Sequence, residues 1–167
     1  MTDERKAKMT LPGEDRILVT REFDAPRRLV YRAWTTPELV ARWWTAKRGS
    51  AVEMEIDLRV GGRWRYVMTT HGGQEVAFHG EYREVVPEER LVTTEVYEGA
   101  PLPPEQLEAN ATLNTVTFAD QGGRTLVTML TECPSPEIRE MIVASGMEDG
   151  LQDALDLLEE VAGGLEG

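Results

Sequence analysis

The sequence predicts an α+β domain in which one large antiparallel sheet packs on one long C-terminal helix. Three observations carry that prediction. Between residues 136 and 162 apolar side chains recur at helical spacing: Ile138, Met141, Ile142, then Leu151, Ala154, Leu155, Leu158, Val161 and Ala162. Six stretches between residues 52 and 133 alternate apolar and polar residues instead, and most of the turns between them are of hairpin length. The 167 residues suffice for one domain with a sizeable core. A sheet and a helix that are each apolar on one side bury those sides against each other.

Residues 1–14 are charged, contain Pro12-Gly13, and read as a loose tail; 15–163 read as the single domain and 164–167 as a C-terminal tail. The first strand runs from about Arg16 to Phe23. Ile17, Val19 and Phe23 share a face, and Arg21 falls on that same face. Asp24-Ala25-Pro26 turns the chain into a short helix with Leu29, Val30, Ala33 and Trp34 on its apolar side. Thr36-Pro37-Glu38 starts a second short helix, which carries Leu39, Val40, Trp43 and Trp44.

Six strands follow. Val52, Met54, Ile56 and Leu58 alternate with acids, and Gly61-Gly62 makes a tight turn. Trp64, Tyr66 and Met68 come next, then His71-Gly72-Gly73. Val76, Phe78, Gly80, Tyr82 and Val86 line one face of a long strand, where Gly80 marks a bulge or a close approach by another backbone. After Pro87-Glu88-Glu89, a strand shows Leu91, Thr93, Glu95 and Tyr97 on one face. Glu98 to Glu108 holds Pro101, Pro103 and Pro104 and reads as a long loop, a candidate lid. The last strands are about 111–119, with Val116 and Phe118 on one face, and 124–133, where either face suits the core.

Ser135-Pro136-Glu137 starts the long helix: serine caps free amides, proline fits the first turn, and an acid suits the positive end of the dipole. Gly163-Gly164 ends it after roughly 40 Å. Gly146 and Gly150 within it suggest a close approach by the sheet or a ligand. Seven antiparallel strands curl, the helix lies on the concave side, and a gap between them suits a ligand.

Composition narrows the function. Net charge is −12: residues 1–48 carry 11 basic against 7 acidic residues, and residues 49–167 carry 7 against 23. Such acidity opposes nucleic-acid binding, and its bland role is solubility. A lone cysteine, Cys133, permits no internal disulfide and suits a reducing compartment. No signal-peptide core follows Met1, and no apolar run approaches the ~18 residues of a membrane span, so a cytoplasmic protein without membrane contact is expected. His71, His79 and Cys133 lack zinc-site spacing, and the glycine pairs lack the phosphate-loop pattern. Neither a metal nor a cofactor is expected.

The aromatic set is the strongest functional feature. Trp34, Trp43, Trp44, Trp64, Tyr66, Phe78, Tyr82 and Tyr97, with Met54, Met68, Met129, Met141 and Met147, are read as the wall of a cavity, against the alternative of plain core packing. Thr93, Glu95 and Arg21 add polar groups to that wall. A carboxylate at Glu95 needs a partner, water or a proton, and Arg21 is the expected partner. Glu95 and Tyr82 are also the candidates for acid/base catalysis, with solvated side chains as the competing reading for Glu95.

Four blocks in order resemble one family. The first is Phe23-Asp24-Ala25-Pro26, Val30-Tyr31-Arg32-Ala33-Trp34-Thr35, Pro37-Glu38 and Trp43-Trp44. The second is Asp57-Leu58-Arg59-Val60-Gly61-Gly62. The third is Gly80-Glu81-Tyr82-Arg83-Glu84-Val85 with Pro87 and Glu89-Arg90-Leu91-Val92. The fourth is Ser145-Gly146-Met147 with Gly150, Leu155 and Leu158. Together, over about residues 16–162, they resemble the SRPBCC (START-like, birch-pollen-allergen-like) superfamily, and within it the bacterial relatives of the C-terminal domain of the heat-shock-protein-90 ATPase activator. The resemblance implies a helix-grip fold with a deep pocket for an apolar or amphipathic molecule. Positions that are often aromatic in relatives are Thr93 and Glu95 here. The expected function is binding of a hydrophobic small molecule without converting it. A polyketide cyclase/dehydratase-like enzyme is the alternative, and a co-chaperone-like protein-binding module the third. A chaperone partner is not expected, because a tail of about 14 residues is too short to replace the activator's separate N-terminal domain. An exposed edge strand leaves room for a homodimer.

Overall fold

The computed structural model describes residues 7–99 and 103–165. Its elements are β1 (Lys8–Thr10), β2 (Arg16–Phe23), α1 (Arg27–Thr35), α2 (Pro37–Trp43), β3 (Gly49–Ile56), β4 (Arg63–Thr70), β5 (Glu75–Val86), β6 (Arg90–Tyr97), α3 (Pro104–Ala109), β7 (Thr112–Asp120), β8 (Thr125–Glu132), α4 (Pro136–Ala144) and α5 (Met147–Gly163). All strands form one antiparallel sheet in the order β1-β2-β8-β7-β6-β5-β4-β3. This is the predicted α+β, helix-grip arrangement with one strand more.

The added strand is β1, inside the stretch read as a loose tail. Its register is Met9 opposite Val19, and Met9 packs against the buried Ile17 and Val19. A three-residue strand with lysine at its start carries too little alternation to be seen in sequence.

Pairing sets the inner face. Phe23, Arg21, Val19 and Ile17 of β2 sit opposite Thr125, Val127, Met129 and Thr131 of β8. Phe118, Val116 and Asn114 of β7 meet Val127, Met129 and Thr131. Leu91, Thr93 and Glu95 of β6 meet Val116, Asn114 and Thr112. Tyr82 and Phe78 of β5 meet Thr93 and Tyr97, and Trp64 and Tyr66 of β4 meet Gly80 and Phe78. The open choice for the last strand is thereby settled: Val127, Met129 and Thr131 point inward.

Gly80 is the close approach that its place in a strand implied. A Cβ there would collide with the Thr94 carbonyl oxygen and with the Trp64 indole nitrogen, which donates to that same oxygen at 3.1 Å.

Two expectations are corrected at the C-terminus and one before it. The long helix is two helices. Gly146 takes φ +84 and splits it, and the apolar residues on either side, Ile142 and Leu151, are about half a turn out of phase for one continuous helix. Neither Gly146 nor Gly150 has a protein atom within 4 Å of a would-be Cβ, so these glycines do not serve a close approach by the sheet. The 98–108 loop contains α3, and His79 on the outer face of β5 bonds Glu108 at its end, which holds α3 on the side of the sheet away from α5.

The main core joins Phe23 and Phe118 of the sheet to Val30 and Ala33 of α1, Val40 and Trp43 of α2, and Leu155, Leu158 and Ala162 of α5. Burial of these apolar side chains, each removing up to ~1.5–3 kcal/mol of exposure cost, fixes α5 across the sheet.

Candidate functional site

The inner face is closed at one end and accessible at the other. Where α1, α2 and α5 converge, Phe23, Val30, Ala33, Val40, Leu155 and Leu158 are sealed from water. Toward the β4–β5–β6 edge, inner-face residues stay accessible: Trp44, Tyr66, Phe78, Thr93 and Glu95 are half-buried, and Tyr97 is exposed. These aromatics form a continuous wall. Trp44 lies edge-on to Tyr66 at 5.4 Å and to Phe78 at 5.9 Å, Phe78 is 5.2 Å from Tyr97, and Tyr66 is 4.8 Å from Trp64.

The polar groups here sit in apolar surroundings. Burial pushes the Tyr66 hydroxyl well above its ordinary range, helped by Tyr82 and Glu95 nearby. Burial raises the Glu95 carboxyl, while the bond from Asn114 partly opposes the rise. Side chains in apolar surroundings that stay half-accessible are the features expected of a recess wall.

A polar row crosses its floor. The Asn114 side-chain amide donates to Glu95 Oε1 at 2.9 Å, and the Thr131 hydroxyl donates to Asn114 Oδ1 at 2.8 Å. Asn114 is directly opposite Thr131 and diagonal to Glu95 on the other neighbouring strand, so the ladder is a consequence of register.

The sequence-predicted residues divide. Trp44, Tyr66, Phe78, Thr93, Glu95 and Tyr97 are brought together around the recess. Trp64 and Tyr82 are sealed in the core beneath it, where burial, and after it the nearby Tyr31 hydroxyl, raises the Tyr82 hydroxyl. Met129 and Met147 are half-buried and pack with Ile17 and Val19, toward α4. Met68 pairs with Val76 and Ala51 near the far end of β4. Met54 lies opposite Tyr66 and also borders a separate, wide-open cleft of about 600 Å³, whose charged rim includes Glu55, Asp57, Arg59 and Arg63.

Arg21 is the clear correction. It lies on the inner face but does not meet Glu95. Its guanidinium bonds Asp156 at 2.6 Å and Glu159 at 3.4 Å on α5, with Phe23 under it at 5.0 Å. Alternation tells which face a side chain takes; it does not tell which residue comes down from the opposite layer. Asn114 and Thr131 were not singled out. The available signal was position, two residues before Val116 and two after Met129.

On the outer face Glu98 accepts from Arg65 at 2.8 Å and meets His79 at 2.9 Å, and these bonds hold its carboxyl down at about 2. Burial would lower His79, but its contacts with Glu108 and Glu98 outweigh that and raise it. Among the described residues, no helix is long and apolar enough to cross a membrane.

Comparison with known proteins agrees with this architecture. The family model for Activator of Hsp90 ATPase homolog 1-like protein matches residues 24–163. A crystal structure of a Rhodobacter sphaeroides protein is 24% identical, with a TM-score of 0.85, over 96% of this chain and 99% of that one. A Nitrosomonas europaea protein is 26% identical, with a TM-score of 0.78, over 90% and 96%. A solution structure of an AHSA1-like protein from Aeromonas hydrophila is 24% identical, with a TM-score of 0.63, over 89% and 95%. None of the curated proteins matches.

Proposed function

The chain belongs to the Activator of Hsp90 ATPase homolog 1-like family, and from that premise we propose that it binds an apolar or amphipathic small molecule in the inner-face recess without converting it. One observation carries this reading: the wall of Trp44, Tyr66, Phe78 and Tyr97 lies on the face that should be core, and none of the four is sealed. Aromatics of a finished core are sealed, as Phe23 and Phe118 are. An apolar guest would complete the burial that the protein leaves undone.

Native mass spectrometry of the purified protein beside a denatured control tests the reading. A non-covalent adduct lost on denaturation, and lost in Phe78→Ala at a nearly unchanged melting midpoint, is the expected result. A protein without an adduct, and with no tryptophan fluorescence response to apolar aromatic probes, overturns it.

The Glu95 carboxyl favours a second reading. Burial keeps a proton on it to higher pH than on an ordinary carboxyl, which suits a general acid in a cyclase- or dehydratase-like reaction. Tyr82, the other acid/base candidate, is sealed in the core and does not share this position. Conversion of aromatic polyketide-like compounds, lost in Glu95→Gln, would establish it; no conversion across such a screen leaves the binding reading alone.

A further inference from the structure

Glu95 is a carboxyl on an aromatic-walled recess, and its inner-face neighbours are neutral. Across the register it faces Thr112, with Thr93 and Tyr97 two positions away on its own strand. The cation expected beside it, Arg21, is committed to Asp156 and Glu159. Among the described residues the hydrogen bond to Glu95 comes from the neutral Asn114 amide and reaches Oε1; no bond to Oε2 is present. Asn114 is held in that orientation by Thr131, so its amide hydrogens, not its oxygen, point at the carboxyl.

We infer that the recess selects a cationic amphiphile: an apolar molecule ending in an ammonium or amidinium group, with the charge against Glu95 and the body along the Trp44–Tyr66–Phe78–Tyr97 wall. The inference rests on the recess-binding reading above and names the class of guest. Three chemical arguments agree. A carboxylate partly withdrawn from water without a cation is costly, and a cationic guest reduces that cost where a neutral guest leaves it. Aromatic faces attract ammonium groups, and more strongly when water is excluded. An anionic guest would meet Glu95 head-on, so the site rejects as well as selects. The raised Glu95 carboxyl is consistent, since an opposite charge beside it would draw its pKa back down.

A matched series tests this on the whole protein by tryptophan fluorescence and calorimetry: 4-phenylbutylamine, 4-phenylbutanol and 4-phenylbutyrate, which share one apolar body. The amine should bind at least tenfold tighter than the alcohol, and the carboxylate weakest. Because a net charge of −12 attracts cations anywhere on the surface, Glu95→Gln is the deciding variant. It should bring the amine to the alcohol's affinity, while Glu148→Gln, exposed on α5, should keep the preference. Equal binding of all three compounds, or a preference that survives Glu95→Gln, overturns the inference and leaves the recess standing. Binding of none overturns the recess reading itself. Should Glu95→Gln fail to fold, nuclear Overhauser contacts in the unaltered protein decide. Contacts from the amine-bearing methylene to the Asn114 side-chain amide support the site, and contacts to surface residues alone overturn it.

Discussion

α4 and α5 follow one another with only Ser145 and Gly146 between them, and the protein uses them in opposite ways. α5 buries Ala154, Leu155, Leu158, Val161 and Ala162, and α4 buries none of its residues. α5 is also keyed by charge. Arg21 reaches up from the sheet to Asp156 and Glu159, and Glu159 accepts from the Asp24 amide just before α1 at 2.8 Å. α4 touches the sheet through the half-buried Ile138, Ile142 and Val143, over Ile17, Val19 and Cys133, and leaves Met141 64% exposed. A helix held by a sealed face and an ion-pair key belongs to the cooperative unit. A helix resting on a few half-buried contacts opens at lower free energy. α5 is thus the beam that fixes the fold, and α4 is the element that opens first.

The largest expected effect breaks the anchored half. Leu158 has no exposed surface, so Leu158→Ala should cost about 3 kcal/mol in global stability by chemical denaturation. Met141→Ala on α4 should cost under about 0.5 kcal/mol, as surface changes do. Equal losses would erase the distinction. Next comes the key. Arg21 is almost fully buried, its side chain 2% exposed, and it sits against two acids. Arg21→Met removes the cation and leaves Glu159 underneath, half-buried and facing Asp156. A loss of roughly 2–3 kcal/mol is expected. It should shrink when Glu159→Gln is added, as a double-mutant cycle would show.

The same contrast explains what could be read from the residues alone. Strand alternation, the hairpin glycines and the Ser135 cap are local signals, and each is present in the structure. The Ser135 hydroxyl accepts from the Ile138 amide at 3.2 Å. The inner placement of Glu95, Tyr66 and Phe78 followed from period two alone. What was not legible depends on contact across layers. Arg21 was on the right face with the wrong partner, because Asp156 and Glu159 come from an element 135 residues away. Asn114 is an ordinary strand residue until register sets it between Glu95 and Thr131. The division of the C-terminal helix was legible only in phase: Ile138 and Ile142 keep one helical register and Leu151, Leu155 and Leu158 another, about half a turn apart on an unbroken helix.

Two smaller tests sharpen the comparison within α4. Ser135→Ala removes the cap and should cost about 1 kcal/mol. Because α4 is lightly attached, the loss should surface as faster amide hydrogen exchange over 136–144, with α5 protection unchanged. Exchange that rises equally in both helices would mean that they unfold as one unit.

The last test turns on two glycines four residues apart, and it predicts opposite signs for the same substitution. Gly146 sits at φ +84, a region that an alanine enters only with strain, so Gly146→Ala should destabilise by about 1 kcal/mol. Gly150 lies inside α5 with no protein atom within 4 Å of a Cβ, so Gly150→Ala gains helix propensity against nothing and should stabilise by about 0.5–1 kcal/mol. Thermal midpoints of the two variants, measured side by side, read this directly. If both destabilise, the space beside Gly150 is needed for something the protein alone does not show. If both stabilise, the break between α4 and α5 is not held by Gly146. Opposite signs place the hinge at Gly146 and the fixed half of the structure immediately after it, where α5 begins to pack.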